Sequence, residues 1–265
     1  MPRGIGWPRG DSLMDTMQFI ACVLQNACRI RGYKLGHDGS DGYSDCIGLI
    51  IGALALGGVS WPGINGTNYT ARYLVDGLRQ NADLKMGDLV FKARSPGEKG
   101  YDLPPRYADS PDQLDYYHVG VVLQADPVRI VHCTGGGVRL DEKRGDWQYS
   151  AWLRLIKNQQ TYAATVTAES GSTVNLRRGP GLQYEILRQV PIGSAVEVLG
   201  ETDTDWACIA YQGIEGYMMR RFLAPRLSQE DERYEQIILL RQQLDAIQQA
   251  VLAAQKALEA LVKAE

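Results

Sequence analysis

The sequence predicts an α+β domain followed by a small β-barrel and a long C-terminal helix, and three patterns carry that prediction. Over residues 14–157, helix-like segments come first and strand-like segments afterwards, the order expected of helices packed on an antiparallel sheet. Over residues 162–224, short strand-like runs alternate with Gly, Pro and Asp turns. Over residues 228–265, apolar side chains recur in steps of three and four.

Taken in chain order, the spacing of Met17, Ile20, Leu24 and Cys28 predicts a helix over 15–31. A Gly-rich loop, GYKLGHDGSDGYSD, leads into an apolar run from Cys46 to Val59, with Ser44 or Asp45 placed to cap a helix there. Gly48 and Gly52 within that run mark close packing. Turn signals at Trp61-Pro62-Gly63 and Asn65-Gly66 follow, then three strand-like segments, GDLVF, HVGVVL and VRIVHCT. In the barrel region AATVTA, SAVEVLG, WACIAY and EGYMM read as strands. Ser228 and Asp231, three apart, nearly match a helix-capping box. Ile237, Leu240, Leu244, Ile247, Val251, Ala254, Leu258 and Leu261 then form a coiled-coil seam, which predicts self-association into a homo-oligomer. Docking of the same helix on its own globular part is the alternative, and Ile238, Leu239 and Leu252 widen the apolar face enough to allow it.

Composition excludes several classes. The 265 residues are 45% apolar and 22% charged, a globular balance. With 28 basic and 31 acidic side chains the net charge is −3, which argues against a general grip on nucleic acid. Five cysteines are too few, and odd in number, for a disulfide framework, and no CxxC or HxxxH spacing marks a structural zinc site. No cofactor or metal is expected. Arg3 and Arg9 precede an apolar patch, Phe19 to Leu24, that is too short for a signal peptide and stands against Asp15. The longest apolar run is also too short for a membrane span. The expectation is a chain without its own export route.

Cys46 is the candidate nucleophile, because it stands where a polar loop turns into an apolar helix. Backbone N–H groups at a helix start favour a thiolate, and a neighbouring imidazole favours it further. Cys22, Cys28, Cys133 and Cys208 read as space-filling thiols. Of the three histidines, His118 and His132 are centred on the turn Ala125-Asp126-Pro127. An antiparallel hairpin folded there places them opposite each other on one face. His132 then orients His118, whose other ring nitrogen faces the sulfur.

These residues resemble the NlpC-type cell-wall cysteine peptidases, a family with a compact papain-like fold. The resemblance covers about residues 14–157 and rests on five motifs in order: Tyr33-Lys34-Leu35-Gly36, Asp45-Cys46-Ile47-Gly48-Leu49, Gly87-Asp88-Leu89-Val90-Phe91, His118-Val119-Gly120-Val121 and His132. It implies Cys46 as nucleophile, His118 as general base and acid, and His132 as the orienting third member. It also implies Asp45 as a contact for the free amine of a stem peptide and Tyr33 as a lining residue. Ile47 in place of the usual Ser, and His37 in place of a second loop Gly, depart from the pattern. So does the long, Pro-containing stretch from Arg94 to Tyr117, read here as a rim or lid over the cleft. The second module resembles the bacterial SH3-type barrel through Val174-Asn175-Leu176-Arg177-Arg178-Gly179-Pro180 and Glu215-Gly216-Tyr217. That resemblance implies binding of cell-wall peptide or pairing with the catalytic unit, with Tyr184, Trp206, Tyr211 and Tyr217 as candidate contacts.

The expected activity is hydrolysis of an amide in peptidoglycan stem peptides, of the D-glutamyl–diamino acid endopeptidase type, after cell lysis or on a phage particle. An N-acetylmuramoyl-L-alanine amidase and a non-catalytic, oligomeric wall-binding protein are the alternatives. A histidine in third place predicts loss of activity near pH 6–6.5, where imidazole ordinarily takes its second proton.

Overall fold

The computed structural model describes residues 14–157, 161–202 and 205–262; Arg3 and Arg9 lie outside them. Helix α1 (Thr16–Arg29) starts at Asp15, whose carboxylate accepts from the Gln18 N–H while the Gln18 side chain accepts from the Asp15 N–H. The buried face of α1 is Phe19, Ile20, Val23, Leu24 and Ala27. Met17 and Cys28, assigned to the core stripe from spacing, are only half-buried, so the packed face is rotated toward Phe19 and Val23.

Strands β1 (Gly32–Tyr33) and β2 (Tyr43–Ser44) pair in parallel and pinch the Gly-rich loop closed. Helix α2 (Cys46–Leu56) follows at once and is capped by Asp45. A Cβ on Gly48 would lie 1.8 Å from the His37 carbonyl oxygen, and one on Gly52 would lie 2.0 Å from that of Asp38. The close packing expected of these glycines is therefore against the loop backbone, which Asn26 also fastens by donating to the carbonyls of Asp38 and Leu49.

A helical turn, α3 (Thr67–Tyr69), leads through Thr70–Leu74 into β3 (Val75–Gln80). Strands β4 (Leu89–Arg94), β5 (Asp115–Gln124), β6 (Arg129–Thr134), β7 (Gly137–Asp141) and β8 (Tyr149–Leu153) complete a six-stranded sheet in the order β3-β8-β4-β5-β6-β7. Every pairing within it is antiparallel. α1 and α2 cover one face.

The stretch between β4 and β5, expected as a rim or lid, is tied down by side chains. The Arg72 guanidinium reaches Ser110, Asp112 and the Leu114 carbonyl while resting between the rings of Tyr107 and Tyr116. Asn68 donates to Asp115, and the Thr67 hydroxyl donates to the Tyr116 carbonyl. Buried charge needs this density of partners, and here it ties the insertion to the helical turn beneath it.

The barrel consists of β9 (Tyr162–Val166), β10 (Thr173–Arg177), β11 (Ile186–Pro191), β12 (Ala195–Glu201), β13 (Trp206–Tyr211), β14 (Ile214–Met219) and β15 (Leu223–Pro225), ordered β11-β10-β14-β13-β12-β9-β15.

Helix α4 (Gln229–Val262) opens on a reciprocal cap: Ser228 Oγ accepts from the Asp231 N–H and the Asp231 carboxylate accepts from Ser228. Its first half doubles back onto α1 and β7. Arg241 donates to the Cys28 carbonyl at 2.8 Å, and Arg129–Glu235 and Arg139–Asp245 pair at 2.9 Å each. The docking stripe is thus Glu235, Ile238, Gln242 and Asp245, whereas Leu240, Leu244, Ile247, Val251 and Leu258 of the heptad seam stay exposed. Among the described residues no helix is long and apolar enough to cross a membrane.

Candidate active site

Cys46 is the first residue of α2, and Asp45 before it is buried. Asp45 Oδ1 accepts from the Gly48 N–H and Oδ2 from the Gly36 N–H, at 2.7 Å each. Both oxygens of the residue expected to meet substrate are therefore occupied in holding the helix start and the loop. Tyr33, half-exposed on β1, stands close enough to the carboxylate of Asp45 and to the sulfur of Cys46 for their charge to hold its hydroxyl proton on, burial being the larger cause; together they raise it to about 12. Cys133 is buried beside them and donates to the Ser44 carbonyl.

His118 lies just past a bulge in β5, where Lys92 pairs with His118 but Ala93 pairs with Tyr116. Such bulges re-aim a side chain. His118 Nε2 and His132 Nδ1 are 2.8 Å apart, and the rings meet edge to face. The two residues are not directly opposite, as the centred turn implied. Val121 pairs with Val131 and Val122 with Ile130, which sets His132 across from Gly120 and leaves His118 on the diagonal. A second bulge next to Gln124 absorbs the difference.

Gly120 has a physical reason to be glycine: a Cβ there would lie 3.0 Å from the Trp147 ring and 2.9 Å from Ile130. The indole instead lies against the strand, stacked on His118 at 5.4 Å and edge-on to His132 at 5.1 Å. Trp147 Nε1 donates to Asp141 Oδ2 at 2.9 Å, while Asp141 Oδ1 stands 3.3 Å from His132 Nε2. The Lys92 ammonium sits over the other part of the cluster, 4.6 Å from the indole centroid and 2.6 Å from Asp146. Trp147, Asp141 and Lys92 were not singled out from sequence. The usable signal was the alternation that places Lys92 and His118 on one face.

Cys46 meets β5 from the α2 side, where its sulfur takes a hydrogen bond from the Val119 N–H, one residue along from His118. Burial pushes the thiol up to about 12, the Asp45 carboxylate adding to it, against the Val119, Ile47 and Cys46 N–H groups. Burial also holds the His118 imidazole down at about 4, with His132 and Lys92 pushing the same way. The helix start was expected to lower the thiol; desolvation and the capping carboxylate outweigh it. Thiol and imidazole are both neutral at rest. The sulfur reaches β5 at the Val119 N–H from the α2 side, while the His118 ring lies against Trp147 on the other side of that strand. The expected facing of sulfur and imidazole thus has their adjacency on β5 behind it and not a direct bond.

In the barrel, Tyr184 is exposed, Trp206 is buried, and Tyr211 and Tyr217 are half-buried. A groove of about 890 Å³ runs between the β5–β6 tip (Asp126, Pro127) and the barrel residues Trp206, Arg221 and Phe222. None of Cys46, His118 or His132 lines it.

Residues 172–224 match the family model described as bacterial SH3 domain. The barrel is similar to a bacterial SH3 domain. No curated protein matches the chain. Solved structures similar to it include NlpC2 from Trichomonas vaginalis, at 17% identity and a TM-score of 0.23, covering 58% of this chain and 49% of that one. NlpC1 from the same organism has 17% identity and a TM-score of 0.23, covering 55% and 49%. The crystal structure of Ly7917 has 15% identity and a TM-score of 0.29, covering 78% and 92%. The chain spans about half the length of the two NlpC structures. The SH3-type barrel is assigned by its family match.

Proposed function

We propose that the protein is a cysteine peptidase of papain-like fold that hydrolyses amide bonds in peptidoglycan stem peptides, between D-glutamate and the following diamino acid. The observation that carries this reading is the 2.8 Å bond between His118 Nε2 and His132 Nδ1, which leaves Nδ1 of His118 as the free ring nitrogen. In the mechanism, His118 Nδ1 takes the thiol proton as Cys46 Sγ attacks the scissile carbonyl. The Cys46 N–H, at the head of α2, turns to the developing oxyanion. Collapse breaks the C–N bond, His118 returns the proton to the leaving amine, and water resolves the thioester. Asp45, whose carboxylate is oriented by two backbone N–H donors, attracts the free amine of the stem peptide, and Tyr33 lines the approach. The insertion pinned by Arg72 forms the rim on the β4–β5 side, and the groove at Trp206 and Phe222 takes wall peptide.

The exposed seam of α4 supports self-association through a coiled coil. A monomeric mass at micromolar concentration in light scattering would end that part of the reading. The setting proposed is action on the wall after lysis or from a phage particle, and detection of the chain outside intact cells would oppose it.

Mass spectrometry of defined stem peptides treated with the protein tests the chemistry. Cleavage is expected at the D-glutamyl bond and is lost by at least about 10⁴-fold in Cys46→Ala, with wall binding kept. Cleavage at the sugar–peptide junction instead would identify an amidase. Wall binding with no cleavage by the wild type would identify a binding protein.

A further inference from the structure

We propose that Asp141 is a positioning residue that sets the tautomers of both imidazoles, so that the nitrogen offered as base is His118 Nδ1. The inference rests on the peptidase reading and adds a residue and a proton arrangement to it. Asp141 closes β7, beside the strand that carries His132. His132 is buried, and its Nε2 has no in-line hydrogen-bond partner, yet Asp141 Oδ1 stands 3.3 Å away. A lone pair on Nε2 would be repelled by a carboxylate at that distance, whereas an N–H is attracted. The proton of neutral His132 therefore resides on Nε2, and Nδ1 keeps its lone pair. Nδ1 can then only accept, so the bond at 2.8 Å runs from the His118 Nε2–H to His132 Nδ1. His118 is left with its lone pair on Nδ1, the form a general base requires.

The carboxylate is itself fixed. An indole N–H only donates, so Trp147 Nε1 demands an acceptor and receives Oδ2 of Asp141 at 2.9 Å. That demand makes the substitution Asp141→Asn informative. The amide oxygen must turn to Trp147, which points the amide NH₂ at His132 Nε2. An NH₂ there stabilises a lone pair on Nε2, moves the His132 proton to Nδ1, and reverses the bond to His118. His118 is then protonated on Nδ1 and cannot accept the thiol proton. The charged groups facing the pair are Asp141 from β7, Lys92 from β4 and Asp146 from the β7–β8 connection; Lys92 and Asp146 pair with each other. They are unchanged by the substitution.

The test combines ring ¹⁵N spectra with kinetics on the full chain. In the wild type, both His118 and His132 are expected to carry their proton on Nε2; this measurement needs no variant to fold. In Asp141→Asn both protons move to Nδ1, and kcat falls by about 100-fold or more with KM little changed, since wrong-tautomer exchanges in triads reach about 10⁴-fold. Asp141→Ala, which removes the preference without reversing it, falls less. A wild-type His132 proton on Nδ1, or an Asn variant as active as the Ala variant, overturns the assignment. If the wild type cleaves no stem peptide, the peptidase reading fails by itself and the ¹⁵N spectra alone decide the tautomers.

Discussion

The two faces of the six-stranded sheet are built to different rules. Against α1 and α2 lies a thick apolar layer in which Phe19, Leu24, Leu49, Ile50, Leu89, Phe91, Val119 and Val121 are fully buried. On the opposite face the buried apolar cluster is Leu84, Val90, Val122, Ile130 and Trp147, and beside it stand Lys92, His118, His132 and Asp141. One face holds the fold together by area removed from water. The other spends its few apolar side chains on fixing the orientation of rings that carry protons. Stability and proton placement are therefore separable by mutation, although both depend on the same strands.

The largest expected effect is on the thick face. Leu49→Ala is expected to cost about 2–5 kcal/mol, the range for a fully buried leucine, measured by denaturant unfolding. The acid limb of the activity profile should stay in place; a limb that moves with it would show that the faces are not independent. On the thin face, Gly120→Ala puts a Cβ against Trp147 and Ile130. About 1–3 kcal/mol of stability is expected to go, with a kcat loss of about tenfold as the indole lifts from His118. Equal kcat in the variant would remove the indole from the account. The smallest effect is in the pH profile. A base held at about 4 by burial is neutral at all higher pH, so the acid limb of kcat/KM should fall near 4. The sequence placed it at 6–6.5, and a limb there would mean a solvated imidazole. The linkage has the same sign: unfolded His118 binds its proton near the ordinary 6.5 and the folded ring only near 4. Its contribution to stability is thus complete above 6.5 and is lost as pH falls to about 4.

Much of this was legible in the residues. α1 and α2 announced themselves by apolar spacing and by aspartates at their starts, because capping and burial are both local. β5 and β6 were legible because apolar runs flank a single turn. β3 and β8 were not, since VDGLRQ carries a mid-strand glycine and YSAWL is short, and both owe their place to partners far along the chain. The hairpin's register was misread by two residues because bulges leave no signal in composition. Asp141 and Trp147 were missed because they bound a polar stretch, DEKRGDW, without periodicity; only the rings they touch reveal them. The heptad seam of α4 was read from spacing, but the face that docks is a different one, chosen by charge pairs with Arg129 and Arg139.

Where α4 crosses β7, the Gln242 side chain accepts from the Leu140 N–H at 2.9 Å. An amide thus occupies a position at which an incoming strand would otherwise attach, and the sheet's outer border on that side is sealed by a side chain. A chain shortened before Gln242 would bare this border, and clumping through strand addition is the fate such a truncation invites.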